Sequence, residues 1–236
     1  MQEVYSPINE EKKVLDFSTI IQKVYFFMAA GLAVTGITAV ITTNNLYLLL
    51  FSFQHFYILA ILEVALVLFL GSRTNKMGTG TCAVAFFGYA ILNGFTLAPI
   101  FLVYTQSSIA VTFLIAAGVY IAGAIYGKTT NRSLTSLGAY LTMGLCGIIV
   151  ASLVNLLIRS NVLDFFISLV GVALFIAITA VDTSRIYQIS NRAEETGLND
   201  AETNNKISIA CALTLYLDFI NIFLKLLRFF GKRKNN

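Results

Sequence analysis

Three carboxylates stand where a membrane-spanning helix has no ordinary use for them. Asp218 lies in the middle of the run 208–231, SIACALTLYLDFINIFLKLLRFFG. Glu63 sits near the centre of the apolar run 56–72, and Asp182 follows directly on the run 162–181. An unpaired carboxylate at mid-membrane costs ~2.5–3.5 kcal/mol on insertion scales, so each needs a partner, a proton or water, and each marks a candidate functional position. On a helix of about 3.6 residues per turn, Ser208, Cys211, Thr214, Asp218, Asn221, Lys225 and Arg228 form one narrow polar stripe. Leu, Ile, Phe and Tyr cover the rest of that helix, a pattern suited to a bundle interior. If two such acids come close they cannot both ionise cheaply, and the pair shares a proton, which makes it a pH sensor without a histidine. Carboxylate oxygens are also ligands that calcium prefers, and paired acids serve cation selectivity. A purely structural role, in which the acids tie helices together by hydrogen bonds, stays open at this point.

The elements that must hold these acids are legible from composition. Of 236 residues, 57% are apolar and 12% are charged, against roughly 25% charged in soluble domains. Too few charges remain to hydrate a soluble surface, so the chain reads as an integral membrane protein. At ~20 residues per span it holds about seven helices and no separate soluble domain. The expected spans are 24–43, 56–72, 82–104, 108–126, 134–158, 162–181 and 208–231, in one transmembrane unit covering 24–230. A polar tail, 1–23, precedes it and a short basic tail, 231–236, follows. The stretch 46–57 is left undecided between an extension of the second span and an interfacial segment; it carries His55, the only histidine. Residues 190–206 read as a charged, solvated loop. No short apolar stretch with a small-residue cleavage site opens the chain, so no cleaved signal peptide is expected.

Pro99 removes a backbone donor and frees the carbonyl of Phe95, and broken backbone at membrane depth either is buried in protein or lines a wet path. Asn93 and Thr96, in the same run, are candidates for such a path. Gly123 and Gly127 form a small-residue pair suited to close helix contact. Cys82, Cys146 and Cys211 all lie in apolar runs and form neither a disulfide framework nor a zinc site. Lys and Arg alternate between connections, which places the N-terminus in the cytoplasm. Seven crossings then put the C-terminus outside, against the pull of Lys225, Arg228, Lys232, Arg233 and Lys234.

The run Ala212-Leu213-Thr214-Leu215-Tyr216-Leu217-Asp218-Phe219-Ile220-Asn221 resembles the closing signature of the Bax inhibitor-1 family, also called the transmembrane Bax inhibitor motif family, and in particular of its bacterial members. Ile61-Leu62-Glu63-Val64-Ala65 and Asn93-Gly94-Phe95-Thr96-Leu97-Ala98-Pro99-Ile100 are similar to its second- and third-span motifs. Asp182, shortly before Arg185-Ile186, takes the place of its sixth-span aspartate. The resemblance covers nearly everything beyond the N-terminal tail. It implies an all-α, seven-helix bundle with the C-terminal helix central and two groups of three helices around it. It also implies a pH-sensitive calcium leak governed by a pair of aspartates, here Asp182 and Asp218. Two departures stand out: Val181 replaces the tyrosine that often precedes the sixth-span aspartate, and only Arg73 and Lys76 stand where a basic cluster often closes span two.

The expected mechanism follows. The proton shared by Asp182 and Asp218 sets whether the last helix seals the path. Arg73 or Arg185 latches Asp218, and Glu63 attracts cations along a path with Asn93, Thr96 and Asn221. Calcium and protons are the permeant partners; no cofactor, structural metal or nucleic acid is expected. The expected location is a bacterial inner membrane. Two alternatives belong to other classes: a transporter of small, acetate-like carboxylates with Arg73 or Arg185 as the anion contact, and a non-conducting regulator of a membrane-bound AAA protease or of stress responses. An enzyme is not expected, since no nucleophile–base pair, ligand set or phosphate loop is visible.

Overall fold

A computed structural model of the chain describes residues 7–130, 134–195 and 201–234. Among these, every extended element is a helix: α1 (Pro7–Asn44), α2 (Leu46–Gln54), α3 (Phe56–Arg73), α4 (Thr79–Val103), α5 (Gln106–Thr129), α6 (Thr135–Ile158), α7 (Asn161–Glu195) and α8 (Ala201–Phe230), with one 3-10 turn at Thr74–Lys76. Seven of them are long and apolar enough to cross a membrane. Residues 1–6 of the expected tail, Arg132, Asp200 and the last two residues of the basic tail lie outside the described residues.

Three boundaries differ from the sequence reading. The polar tail is not separate from the first span, because α1 runs unbroken through residue 23. The undecided stretch forms its own helix, α2, whose N-terminus is capped by the Asn45 side chain accepting from the N–H groups of Tyr47 and Leu48. The break falls at His55, which stacks on Phe51 with ring centroids 4.6 Å apart. Most of the charged stretch 190–206 is helical rather than loop: α7 continues to Glu195 and α8 starts at Ala201. Charges do not end a helix; they only mark where it leaves the hydrocarbon.

The helices divide as the resemblance implies. One group is α1, α3 and α4, and the other is α5, α6 and α7, with α8 packed against α1, α4, α5 and α7. Tyr216, Leu215, Ile222 and Leu227 of α8 are all fully buried. By contrast α6 leans on α7 and turns Leu153, Leu156 and Leu157 outward, as a lipid-facing helix should.

Close approach is built from small residues. A Cβ at Gly123 would meet the Ile176 carbonyl at 3.2 Å, and one at Gly127 would strike the Ala180 backbone. The α5–α7 contact is therefore backbone against backbone, as the spacing of these glycines suggests. Pro99 stands inside α4, and the Phe95 carbonyl it frees accepts from Ser52 Oγ at 2.6 Å. That hydroxyl is fully buried, so α2 is tied across α4 at its broken rung. In the core, Tyr216 donates to Thr35 Oγ1 at 2.7 Å while Thr35 donates to the Ala90 carbonyl at 2.9 Å, which joins α8, α1 and α4 at one point.

The C-terminal helix, long and apolar enough to cross a membrane, runs from one end of the bundle to the other. At one end of the bundle, Lys23 donates to Asn205 and Thr79 Oγ1 to the Glu202 carbonyl, so the middle of α1 lies beside the starts of α4 and α8. At the other end, Arg228 pairs with Asp164 and Arg233 bridges to Tyr104. These are called the amino end and the carboxyl end below.

Two packing predictions follow from these contacts. Gly127→Ala drives a methyl into the Ala180 backbone and should lower stability by ~1–3 kcal/mol in thermal unfolding of the purified protein. Gly36→Ala, with nothing within 4 Å of its Cβ, should cost nothing. Thr35→Val strands the buried Tyr216 hydroxyl and should cost ~1–3 kcal/mol, whereas Tyr216→Phe leaves Thr35 its carbonyl partner and should cost about half as much.

Candidate functional site: two cavities on one helix with a buried acid between

The polar stripe of α8 is met by space at both ends and by protein in the middle. At the amino end, a cavity of about 550 Å³ lies between α3, α7 and α8, lined by Thr74, Asp182, Arg185, Cys211 and Thr214 among others. At the carboxyl end, a cavity of about 540 Å³ lies between α3, α4 and α8, lined by Glu63, Asn93, Thr96, Asn221, Lys225 and Arg228 with apolar neighbours. Asp218 lines neither. It sits one turn from Thr214 and about one turn from Asn221, at the step where the two cavities stop short of each other.

Asp218 is 5% exposed, and its Oδ2 is buried with no hydrogen-bond partner. It forms no ion pair with any described residue. The charge that acts on it is that of Asp182, so the two acids on α7 and α8 are electrostatically coupled. Asp182 is in a different situation. Arg185, one turn later on α7, holds it at 3.3 Å, and the arginine side chain is 47% exposed while the aspartate is 17% exposed. Asp182 thus faces the amino-end cavity with a counter-ion at the cavity's edge, and Asp218 lies behind it without one.

Glu63 is half-buried and held. Thr96 Oγ1 donates to its Oε1 at 2.6 Å, and Asn93 Nδ2 lies 3.5 Å from its Oε2 and 3.4 Å from the Tyr89 hydroxyl. Asn93 Oδ1 is buried without a partner. Asn221 Nδ2 donates to the Leu217 carbonyl one turn back. Across the same cavity Lys225 makes no hydrogen bond or ion pair to a described residue, and its stem packs over Gly171, where a Cβ would lie 3.1 Å from the lysine Cδ. Arg228 is paired to Asp164 at 2.8 Å.

The structure brings some of the expected site residues together. Glu63, Asn93, Thr96 and Asn221 share one cavity, and Asp182 and Asp218 come within each other's field. The expected latch does not close on Asp218: Arg185 reaches Asp182 instead, and Arg73 is exposed with no ion pair or hydrogen bond to a described residue. The reason is helical spacing, since Arg185 is three residues from Asp182 on the same helix and lies on its face. Sequence reasoning missed Tyr89 as a neighbour of Asn93, Asp164 as the partner of Arg228, and Thr35 as the partner of Tyr216. Only Asp164 left a signal, as an acid in the first turn of a helix that starts near the end of α8. Among the described residues no group of three metal-ligating side chains forms, and the carboxylates that line the two cavities are those of Glu63 and Asp182.

Comparison with known proteins places this arrangement. Residues 17–235 match the family described as "Inhibitor of apoptosis-promoting Bax1". Inner membrane protein YbhL of Escherichia coli K12 is 42% identical over 219 residues, covering 92% of each chain. A protein of Borreliella burgdorferi is 38% identical over 230 residues, covering 96% of this chain and 97% of its own. A third, from Rickettsia prowazekii, is 42% identical over 217 residues, covering 90% of this chain and 89% of its own. With the match running over nearly the whole length, and with a seven-span helical bundle behind it, the chain belongs to the Bax inhibitor-1 family of multi-pass membrane proteins.

Proposed function

We propose that the protein is a pH-sensitive calcium leak of the bacterial inner membrane, with its N-terminus in the cytoplasm, gated by a proton shared between Asp182 and Asp218. The observation that carries this reading is the buried Asp218, whose Oδ2 has no hydrogen-bond partner, placed between two cavities that lie toward opposite ends of α8. A lone carboxylate at that depth is costly, and the cost is removed by a shared proton or by water admitted along α8. With the proton in place, α8 stays packed and the cavities stay separate. When the proton leaves, the charge on Asp218 favours a wetter arrangement in which the two cavities join. Asp182 adds to this by repulsion, and Arg185 moderates the repulsion by holding Asp182 toward the cavity edge. Glu63, fixed by Thr96 and Asn93, supplies hard oxygens for a cation on the far side of the step.

Calcium entry into proteoliposomes containing the purified full-length protein tests this. Wild-type flux should rise with pH through the neutral range. Asp218→Asn, which imitates the protonated acid in shape and charge, should hold flux at the sealed level whatever the pH. Asp182→Asn should shift the pH at which flux rises. Unchanged flux and unchanged pH profile in both variants would sink the gating scheme.

A second reading, transport of small carboxylates, is favoured by one observation: the Lys225 ammonium shares the carboxyl-end cavity with Asn221 and has no acid bound to it. Uptake of labelled acetate that needs Lys225 and proceeds without calcium flux would support that reading over the first.

A further inference from the structure

Cations crowd the carboxyl end of the bundle with few acids to answer them. Arg159, Lys225, Arg228, Lys232, Arg233 and Lys234 are there; among described acids, only Asp164 and the already held Glu63 lie at that end. The last three cations belong to a segment that folds back on the α4–α5 connection. Thr105 N–H donates to the Lys232 carbonyl at 3.0 Å and Lys234 N–H to the Val103 carbonyl at 3.0 Å. Lys232 N–H donates to Ser108 Oγ at 2.9 Å, and Lys234 Nζ donates to the Phe101 carbonyl at 2.7 Å.

This fold-back sets Lys234 on the rim of a groove of about 710 Å³ between α1 and α5. The rim also carries Asn44 and Gln106, and the walls below are Val40, Phe113 and Leu114, all three of them exposed. Polar groups at the membrane surface and an apolar trough beneath match the polarity gradient of a phospholipid. The N-terminus of α5 begins at Gln106 on the same rim and adds partial positive charge there. Lys234 uses one of its three donors on Phe101, which leaves two for a ligand. Arg233, next in the chain to Lys234, is exposed and forms no ion pair with a described residue. A neutral or zwitterionic lipid would fill the trough but leave these charges unanswered.

We propose that this groove is a binding site for an anionic phospholipid, with the phosphate held by Lys234 and Arg233 at the start of α5 and one acyl chain lying between α1 and α5. The inference does not rest on the calcium reading. It gives the basic C-terminus a partner at the end of the bundle opposite to the N-terminal basic residues. Because α1 and α5 belong to different three-helix groups, the lipid would touch both groups along a seam the protein leaves open.

Native mass spectrometry and thermal unfolding of the full chain in detergent, with added lipids of identical dioleoyl chains, test the proposal. Dioleoyl-phosphatidylglycerol should be retained and should raise Tm, while dioleoyl-phosphatidylcholine should do so far less. Each cation removed near an anionic surface weakens binding about fivefold, so Lys234→Ala and Arg233→Ala should each reduce retention by about that factor. Ala110→Trp, which fills the groove without touching a charge, should remove the bound phosphatidylglycerol. Equal retention of the two lipids by the wild-type protein overturns the proposal, and this comparison stands even if a variant misfolds. The proposal also falls if glycerol 3-phosphate alone stabilises as well as the lipid, because the ligand is then a free phosphate ester, or if folded variants keep the full preference for phosphatidylglycerol.

Discussion

Enclosing one apolar helix inside six others is the constraint from which the rest of this structure follows. A helix facing lipid can turn a stray hydroxyl or amide toward a headgroup. α8 has no such outlet along most of its length, because α1, α4, α5 and α7 pack around it. Each polar atom on it must be met by a neighbouring helix, by its own backbone one turn back, or by water let into the bundle. Tyr216 is met by Thr35, and Ser208 by the Asn204 carbonyl one turn back. Thr214 and Asn221 bond the Ala210 and Leu217 carbonyls and, with Lys225, line the two cavities. Asp218 is met by neither, and the bundle holds a polar group that it leaves unsatisfied.

The two cavities differ in charge as well as in place. The one at the amino end contains an acid and an arginine joined to each other, so its field is largely closed on itself. The one at the carboxyl end keeps its acid and its lysine apart: Glu63 is bound by Thr96 and Asn93 on α4, while Lys225 stands opposite on α8. A charged solute entering there meets both signs separately, and α8 carries only one of them. Movement of that helix therefore changes the balance of charge in the cavity without any change in its titratable groups.

The spans were legible because hydrocarbon depth leaves a strong signature: long apolar runs with few charges, which the helices follow to within a few residues in the middle of the chain. Helix ends outside the hydrocarbon were not legible in the same way. Residues 190–195 and 201–206 have the composition of a solvated loop, and composition does not separate a loop from a helix projecting into water. The separation of α2 from α3 was hidden too, since 46–57 is continuously apolar and aromatic and His55 is no helix breaker by type. The proline argument reached as far as the freed Phe95 carbonyl, but not to Ser52, because its partner is chosen by tertiary packing. In the site, the acid at mid-span and the proline-disturbed run singled out Glu63, Asn93 and Thr96, which line one cavity. The Arg185–Asp182 pair was within reach of local spacing, since the two lie three residues apart on one helix, but the failure of any arginine to reach Asp218 depends on how α7 and α8 pack. Thr35 and Tyr216, 181 residues apart, gave no local sign of their bond.

The fold-back of residues 232–234 also restricts how the central helix can move. Its backbone is paired on both sides of Arg233 to the α4–α5 connection, and Arg228 is tied to the start of α7. Sliding along the helix axis would break all of these at once. A swing about the carboxyl end would break none of them. With that end acting as a pivot, displacement grows with distance from it. Lys225 then moves least, Asp218 moves further, and the face beside Asp182 travels the longest arc.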